Sequence, residues 1–151
     1  MDDFGAVDIL LVEDSDPDAE LTTRALRKGG LVNNLVRVRD GVEALEFMFR
    51  AGPWSTRGSQ EPKLILLDLK MPRLGGIDVL RRLKSDKRTQ TLPVVMLTSS
   101  AEEQDVAESY HLGVNSYLVK PVEFPAFVEL VAQLGMYWAV MNRLPAAQFE
   151  K

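Results

Sequence analysis

Ile9-Leu10-Leu11-Val12-Glu13-Asp14-Ser15-Asp16-Pro17 sets the pattern that the rest of the chain repeats. Four aliphatic residues run without alternation, as a strand covered on both faces requires. The run stops at a cluster of acids. Asp16 followed by Pro17 reads as the N-cap and first position of a helix. That helix extends to about Lys28 and stops at Gly29-Gly30.

Four more apolar runs, each followed by an amphipathic stretch, carry the same reading. Leu35-Val36-Arg37-Val38 is more polar and belongs nearer a sheet edge. Asp40 and Glu43 after it have capping-box spacing, and the helix they open puts Val42, Leu45 and Phe49 on one stripe before ending near Gly52. A polar loop without periodicity runs from Pro53 to about Lys63, long for a helix-to-strand connection. Leu64-Ile65-Leu66-Leu67 ends in Asp68 and leads through a Pro- and Gly-bearing loop to a helix with Ile77, Leu80 and Leu83 at spacing three. Val94-Val95-Met96-Leu97 ends in Thr98-Ser99-Ser100. Ser100 and Glu103 repeat the capping-box spacing, and the helix closes at Gly113. Ser116-Tyr117-Leu118-Val119 ends in Lys120-Pro121. The last helix starts near Glu123 and carries Phe127, Leu130, Val131, Leu134, Tyr137, Trp138 and Met141 on one face. Five strand–helix alternations predict an α/β, doubly wound, five-stranded parallel sheet with helices on both faces. Its expected strand order is 2-1-3-4-5, the flavodoxin-like order, with the binding crevice beyond the carboxyl ends of the strands at the switch between the first and third.

Composition narrows the function. With 151 residues the chain is one domain by the prior of roughly 150 residues each. Eighteen basic residues against 22 acidic ones leave a net charge of −4, which argues against a phosphate-backbone binder and against nucleic acid as a partner. The absence of cysteine excludes disulfides and thiol chemistry, and a lone histidine, His111, excludes a multi-histidine metal site. No apolar run approaches the ~20 residues of a membrane span. The acidic Met1-Asp2-Asp3-Phe4 start lacks the basic region of a signal peptide, so the expected address is cytoplasmic.

The strand ends that flank the crevice carry Glu13 and Asp14, Asp68, Thr98, and Lys120. Three carboxylates in one crevice repel, and one of them takes up a proton unless a cation neutralises them. A hard cation with oxygen ligands is the usual remedy, and Mg²⁺, which keeps several waters, suits an open site with few carboxylates. Asp68, fixed by the four aliphatic residues before it, is placed to act as a nucleophile that forms an aspartyl-phosphate. Lys120 and the metal would supply positive charge to the phosphoryl oxygens, and Thr98 a hydrogen bond. The plainer alternative is a Lys120–Asp68 salt bridge that only closes the crevice.

From Val7 to about Leu134 the chain resembles the receiver domain of two-component response regulators. The resemblance rests on Leu11-Val12-Glu13-Asp14, Leu66-Leu67-Asp68-Leu69-Lys70-Met71-Pro72-Arg73-Leu74-Gly75-Gly76, Leu97-Thr98-Ser99-Ser100 and Tyr117-Leu118-Val119-Lys120-Pro121-Val122, all in order. It implies that Asp68 accepts phosphate from a sensor histidine kinase. It implies Mg²⁺ held by Asp14 directly, by Glu13 mainly through water, by Asp68 and by the backbone carbonyl of Lys70. Thr98 and Lys120 would contact the phosphoryl group, Thr98 and Tyr117 would form the switch, and the Lys120–Pro121 peptide would be cis. Glu13 departs from the family's commoner Asp but keeps the charge. Lys70 and Ser100 stand at positions that tune phosphate lifetime in the family.

Residues 1–6 are read as a tail, 7–134 as the receiver domain, and 135–151 as an extension of the last helix and a tail. So short a remainder carries no effector domain, so output is expected through protein contact. That surface would be a homodimer through the fourth helix, fifth strand and fifth helix. The extended helix, the long 53–63 loop and the Val-Glu-Asp-Ser start are similar to phytochrome-partner response regulators, which implies a phytochrome-type kinase. The alternative is a constitutive receiver adaptor that binds proteins without phosphorylation. A flavin domain would place a phosphate-cradling loop where Glu13-Asp14 stands, and an aspartate phosphatase a second Asp where Lys70 stands. His111 is read as a helix-end surface residue, and Phe47, Phe49, Trp54, Met71 and Met96 as packing.

Overall fold

The computed structural model of the chain describes residues 8–28, 34–58, 61–71, 73–99, 113–114 and 116–133, Thr98 through its backbone alone. Five strands, β1 (Ile9–Val12), β2 (Leu35–Val38), β3 (Leu64–Asp68), β4 (Val94–Thr98) and β5 (Ser116–Val119), form one parallel sheet in the order β2-β1-β3-β4-β5. The described helices are α1 (Asp16–Arg27), α2 (Gly41–Phe49), α3 (Gly76–Lys84) and α4 (Phe124–Gln133), with a single 3-10 turn at Gly52–Trp54. The strands begin where the apolar runs begin, and β2 takes the expected edge place. The helix expected over about 100–112, with His111, lies outside the described residues, as do the 1–6 tail and the 135–151 extension.

Alternate residues of each strand feed two cores, because side chains leave a strand with period two. Ile9, Leu11, Leu64, Leu66, Val95, Leu97 and Leu118 pack under α1 and α4, against Ala19, Leu26, Phe127, Leu130 and Val131. Leu10, Val12, Val38, Ile65, Leu67, Val94 and Met96 pack under α2 and α3, against Ala44, Phe47, Met48, Val79, Leu80 and Leu83. Both faces of the central strands are thus fully buried, which is why their sequences do not alternate.

Three local expectations are corrected. Ser15, not Asp16, caps α1: its side chain accepts from the Asp18 N–H at 3.2 Å, and Asp16 sits inside the first turn with Pro17. The core stripe of α2 is Gly41, Ala44, Phe47 and Met48, while Val42, Leu45 and Phe49 are half-buried. Small residues at 41 and 44 let the helix lie close to its neighbours, which rotates the contact face away from the bulkier stripe. The described residues of the polar loop after α2 pack as the reading of Phe47 and Trp54 expects. Arg57 lies over the Phe47 ring, 4.1 Å from its centroid, and donates to the Phe47 carbonyl at 2.6 Å. Trp54 meets Phe47 edge-on at 4.8 Å and donates to Glu43. The capping box at α2 forms in part: Asp40 accepts from the Glu43 N–H at 2.9 Å, but Glu43 reaches back to the N–H of Arg39, not of Asp40.

The closest packing constraint is at Gly41, where an added Cβ would meet the Leu74 carbonyl oxygen at 2.3 Å and Val79 Cγ2 at 2.7 Å. Gly41→Ala is expected to destabilise the fold by about 1–3 kcal/mol, the usual cost of overpacking, although Ala is the better helix former. A lowered urea midpoint at unchanged slope is the measurement that checks it.

Candidate functional site

Strand register and period two assemble the site. Val12 pairs with Leu67, so Glu13 and Asp68 are neighbours one step on; Asp68 pairs with Leu97 and Leu97 with Leu118, so Lys120 lies two residues beyond that level, on the same end of the sheet. Glu13, Asp68 and Lys120 each stand two residues after a core residue of the α1/α4 face, namely Leu11, Leu66 and Leu118. The parity of the strands therefore sends all three toward one side. The Lys120–Pro121 peptide is cis.

The Lys120 ammonium contacts Glu13 Oε1 at 2.8 Å, Asp18 Oδ2 at 3.2 Å and Asp68 Oδ1 at 3.3 Å. Glu13 is fully buried and Asp68 nearly so, while Asp14 is exposed. Carboxylate oxygens of Glu13, Asp14 and Asp68 lie within 4.8 Å of one another. They line a pocket of about 340 Å³ with Ser15, Asp18, Lys70, Ser99 and Lys120. Burial, and then the charge of Glu13, push the Asp68 carboxyl up to about 7, against the pull of Lys120. Burial also works against the Lys120 ammonium, but Glu13, Asp68 and Asp18 outweigh it and hold the lysine charged well above its ordinary range.

One cation is thus shared among several carboxylates. Buried Glu13 meets that cation through Oε1 and lies against Asp68. A cluster of three carboxylates that shares one ammonium and has an exposed member facing solvent fits a hard divalent ion that retains water.

The sequence reading brings together Glu13, Asp14, Asp68, Lys70 and Lys120 in this pocket. The Thr98 backbone ends β4 beside it, and the Thr98 side chain lies outside the description. Tyr117 is 40% exposed on the edge strand β5, away from the pocket lining. Two contributors were not anticipated. Asp18 takes part of the Lys120 charge from the first turn of α1. Arg37 of β2 donates to the Glu13 carbonyl through Nε at 2.9 Å and Nη2 at 2.7 Å, and to Asp16 at 2.8 Å. Its fork thereby fixes the acidic loop from the neighbouring strand. The sequence signal was present: Arg37 is the one charge in its run, and it pairs with Leu11, two residues before Glu13.

Comparison with known proteins gives the same picture. The family model of the response regulator receiver domain matches residues 9–132. Response regulator Rcp1 of Synechocystis sp. is 38% identical over 139 residues, which cover 92% of this chain and 93% of Rcp1. The structure of the bacteriophytochrome response regulator RtBRR is similar with a TM-score of 0.82 at 48% identity, over 96% of this chain and 87% of that one. The Mn(2+)-bound form of Rcp1 matches with a TM-score of 0.70 at 35% identity, over 91% of this chain and 96% of that one.

The raised Asp68 value has a stability consequence in metal-free buffer. Between its ordinary 3.8 in the unfolded chain and about 7 in the fold, the folded state keeps a proton that the unfolded state has released. The residue's favourable contribution is therefore complete below the lower value and is lost as pH rises through the upper one. Asp68→Asn, which cannot ionise, is expected to gain on the wild type as pH rises from 4 to 7, and to hold a constant lead above, of at least about 1 kcal/mol at ~1.4 kcal/mol per pK unit. Urea titrations of both proteins across pH 4–9 check the trend.

Proposed function

The chain belongs to the response regulator receiver family, and we propose that it accepts a phosphoryl group from a sensor histidine kinase on Asp68 and so switches a protein-contact surface. The observation that carries this reading is the contact of buried Asp68 with Lys120 at 3.3 Å, inside a cluster of three carboxylates at the sheet's switch point. Asp14, Asp68 and the Lys70 carbonyl would hold Mg²⁺, with Glu13 through water. Bound there, the ion neutralises the acids and the incoming phosphoryl oxygens.

The protein's own groups do the rest. Asp68 acts as the carboxylate, a form that a cation held there would favour against burial and the charge of Glu13. One Asp68 oxygen then attacks phosphorus, the P–O bond forms as the donor's P–N bond breaks, and the electron pair leaves with the imidazole nitrogen. Lys120, held charged, follows the equatorial oxygens. Its contacts with Glu13 and Asp18 keep it at that place before the phosphate arrives. The protein is thus a phosphoacceptor that assists its own phosphorylation and dephosphorylation, and not an enzyme with a separate substrate.

Phosphorylation adds up to about two negative charges at Asp68. Thr98, at the end of β4, would turn toward them, and Tyr117, on the adjacent strand, would follow. The face that changes would be β5, α4 and the segment 100–112, where Tyr117 and Val119 are exposed; this is the proposed homodimer surface. Likeness to the bacteriophytochrome response regulator RtBRR supports a phytochrome-type kinase as the donor. No described helix is long and apolar enough to cross a membrane, and a cytoplasmic place fits a kinase partner. The receiver unit is taken as 7–134, which contains the matched residues.

Intact-mass measurement after incubation with Mg²⁺ and acetyl phosphate or a phosphoramidate is expected to show one added phosphate on the wild type, none on Asp68→Asn, and none in the presence of EDTA. No adduct on the folded wild type, with either small donor or with a kinase, would favour a constitutive adaptor.

A further inference from the structure

Arg73 adopts a left-handed backbone, φ 66°, which non-glycine residues rarely hold unless their surroundings enforce it. It stands in the turn between β3 and α3. The Gly76 N–H closes that turn onto the Leu69 carbonyl at 2.9 Å, and the Leu69 N–H is itself tied to the Leu97 carbonyl at 3.1 Å. Lys70 and Arg73 lie inside the closed turn. From there the Arg73 guanidinium crosses to Asp40, 33 positions earlier, with Nε to Oδ2 at 2.9 Å and Nη2 to Oδ1 at 3.0 Å.

Asp40 is itself fixed, since it caps α2 through the Glu43 N–H and its side chain is only 14% exposed. Next to it, Gly41 lets the Leu74 carbonyl sit against the first turn of α2, closer than any Cβ permits. At the other end of the turn, Gly76 lies against the Asp68 carbonyl, where a Cβ would meet oxygen at 2.4 Å. The turn is therefore wedged between the end of β3 and the start of α2. The two-bond fork of Arg73 on Asp40 is the polar clamp on its outer side.

We propose that Arg73 and Asp40 are a positioning pair for the phosphorylation site: their clamp holds the β3–α3 turn in the strained form that presents Lys70 beside Asp68 to the divalent ion. The inference rests on the metal role proposed above for Asp68 and the Lys70 carbonyl. Neither Arg73 nor Asp40 lines the pocket, so both act through the turn. Planar two-point pairing is what the clamp needs, and a lysine provides only a point charge.

The test is Mg²⁺ and Mn²⁺ titration calorimetry on the wild type, Arg73→Asn, Arg73→Lys and Asp40→Ser, beside thermal melts without metal. Asn tolerates the left-handed backbone but does not reach Asp40. Ser keeps the cap on α2 but does not form the fork. Both are expected to weaken metal binding about tenfold, the lower end of what losing the supports of metal ligands costs. Arg73→Lys falls between them and the wild type, and the Arg73→Asn/Asp40→Ser double variant is no weaker than either single one. The melting temperature of Arg73→Asn stays near that of the wild type, because an exposed ion pair contributes little. Wild-type metal binding with unchanged affinity in Arg73→Asn and Asp40→Ser would overturn the clamp alone. A folded wild type that binds neither ion would overturn the metal reading and the clamp together.

Discussion

The Lys120 ammonium is the charge on which the site depends. It is the cation among Glu13, Asp18 and Asp68, two of them buried, and without it these acids would face one another across a low-dielectric crevice. One ammonium does not balance three carboxylates, and burial, with the charge of Glu13 added, pushes Asp68 up. The unbalanced remainder is what a divalent ion, and then a phosphoryl group with it, would address. A site with a complete internal salt bridge would have had no need of either. The Lys120–Asp68 contact, which alone reads as a closure of the crevice, becomes one third of a shared interaction once Glu13 and Asp18 are included.

The arrangement is imposed by the sheet. Parallel pairing of β1, β3, β4 and β5 brings four strand ends to one edge of the sheet. Period two then chooses which residue of each end faces inward. The same two rules build the hydrophobic cores, so the packing that stabilises the fold and the placement of the charges are one constraint. A one-residue slip of β3 would turn Asp68 to the opposite face and bring Leu67 into its place.

Strand positions were legible because a continuous aliphatic run bounded by acids or glycine has few other meanings. Glu13, Asp68 and Lys120 were legible for the same reason: each stands just past such a run. What was not legible depends on neighbours distant in sequence. Asp18 reads as a first-turn acid of α1, an ordinary dipole preference, until Lys120 arrives from 102 positions away. Arg37 reads as a mark of an edge strand until β2 is set beside β1. The contact face of α2 follows from Gly41 and Ala44 being small, and period alone favours the larger Val42, Leu45 and Phe49. Arg57 looks like solvent-facing charge, and the Phe47 ring under it is what makes the loop ordered.

The four strand ends come from separate quarters of the chain, and none of the contacts that unite them is local. Such a site cannot exist in part: a chain with α1 and β1 formed but β5 still unpaired holds acids without their lysine. Parallel pairing also forms late, since long loops must close before it is rewarded. The full set of charged groups therefore comes together only with the finished sheet. A ligand that needs the complete set would by mass action draw the population toward the folded chain. A domain built this way holds its charge cluster only when complete, so the cluster is also a certificate of assembly.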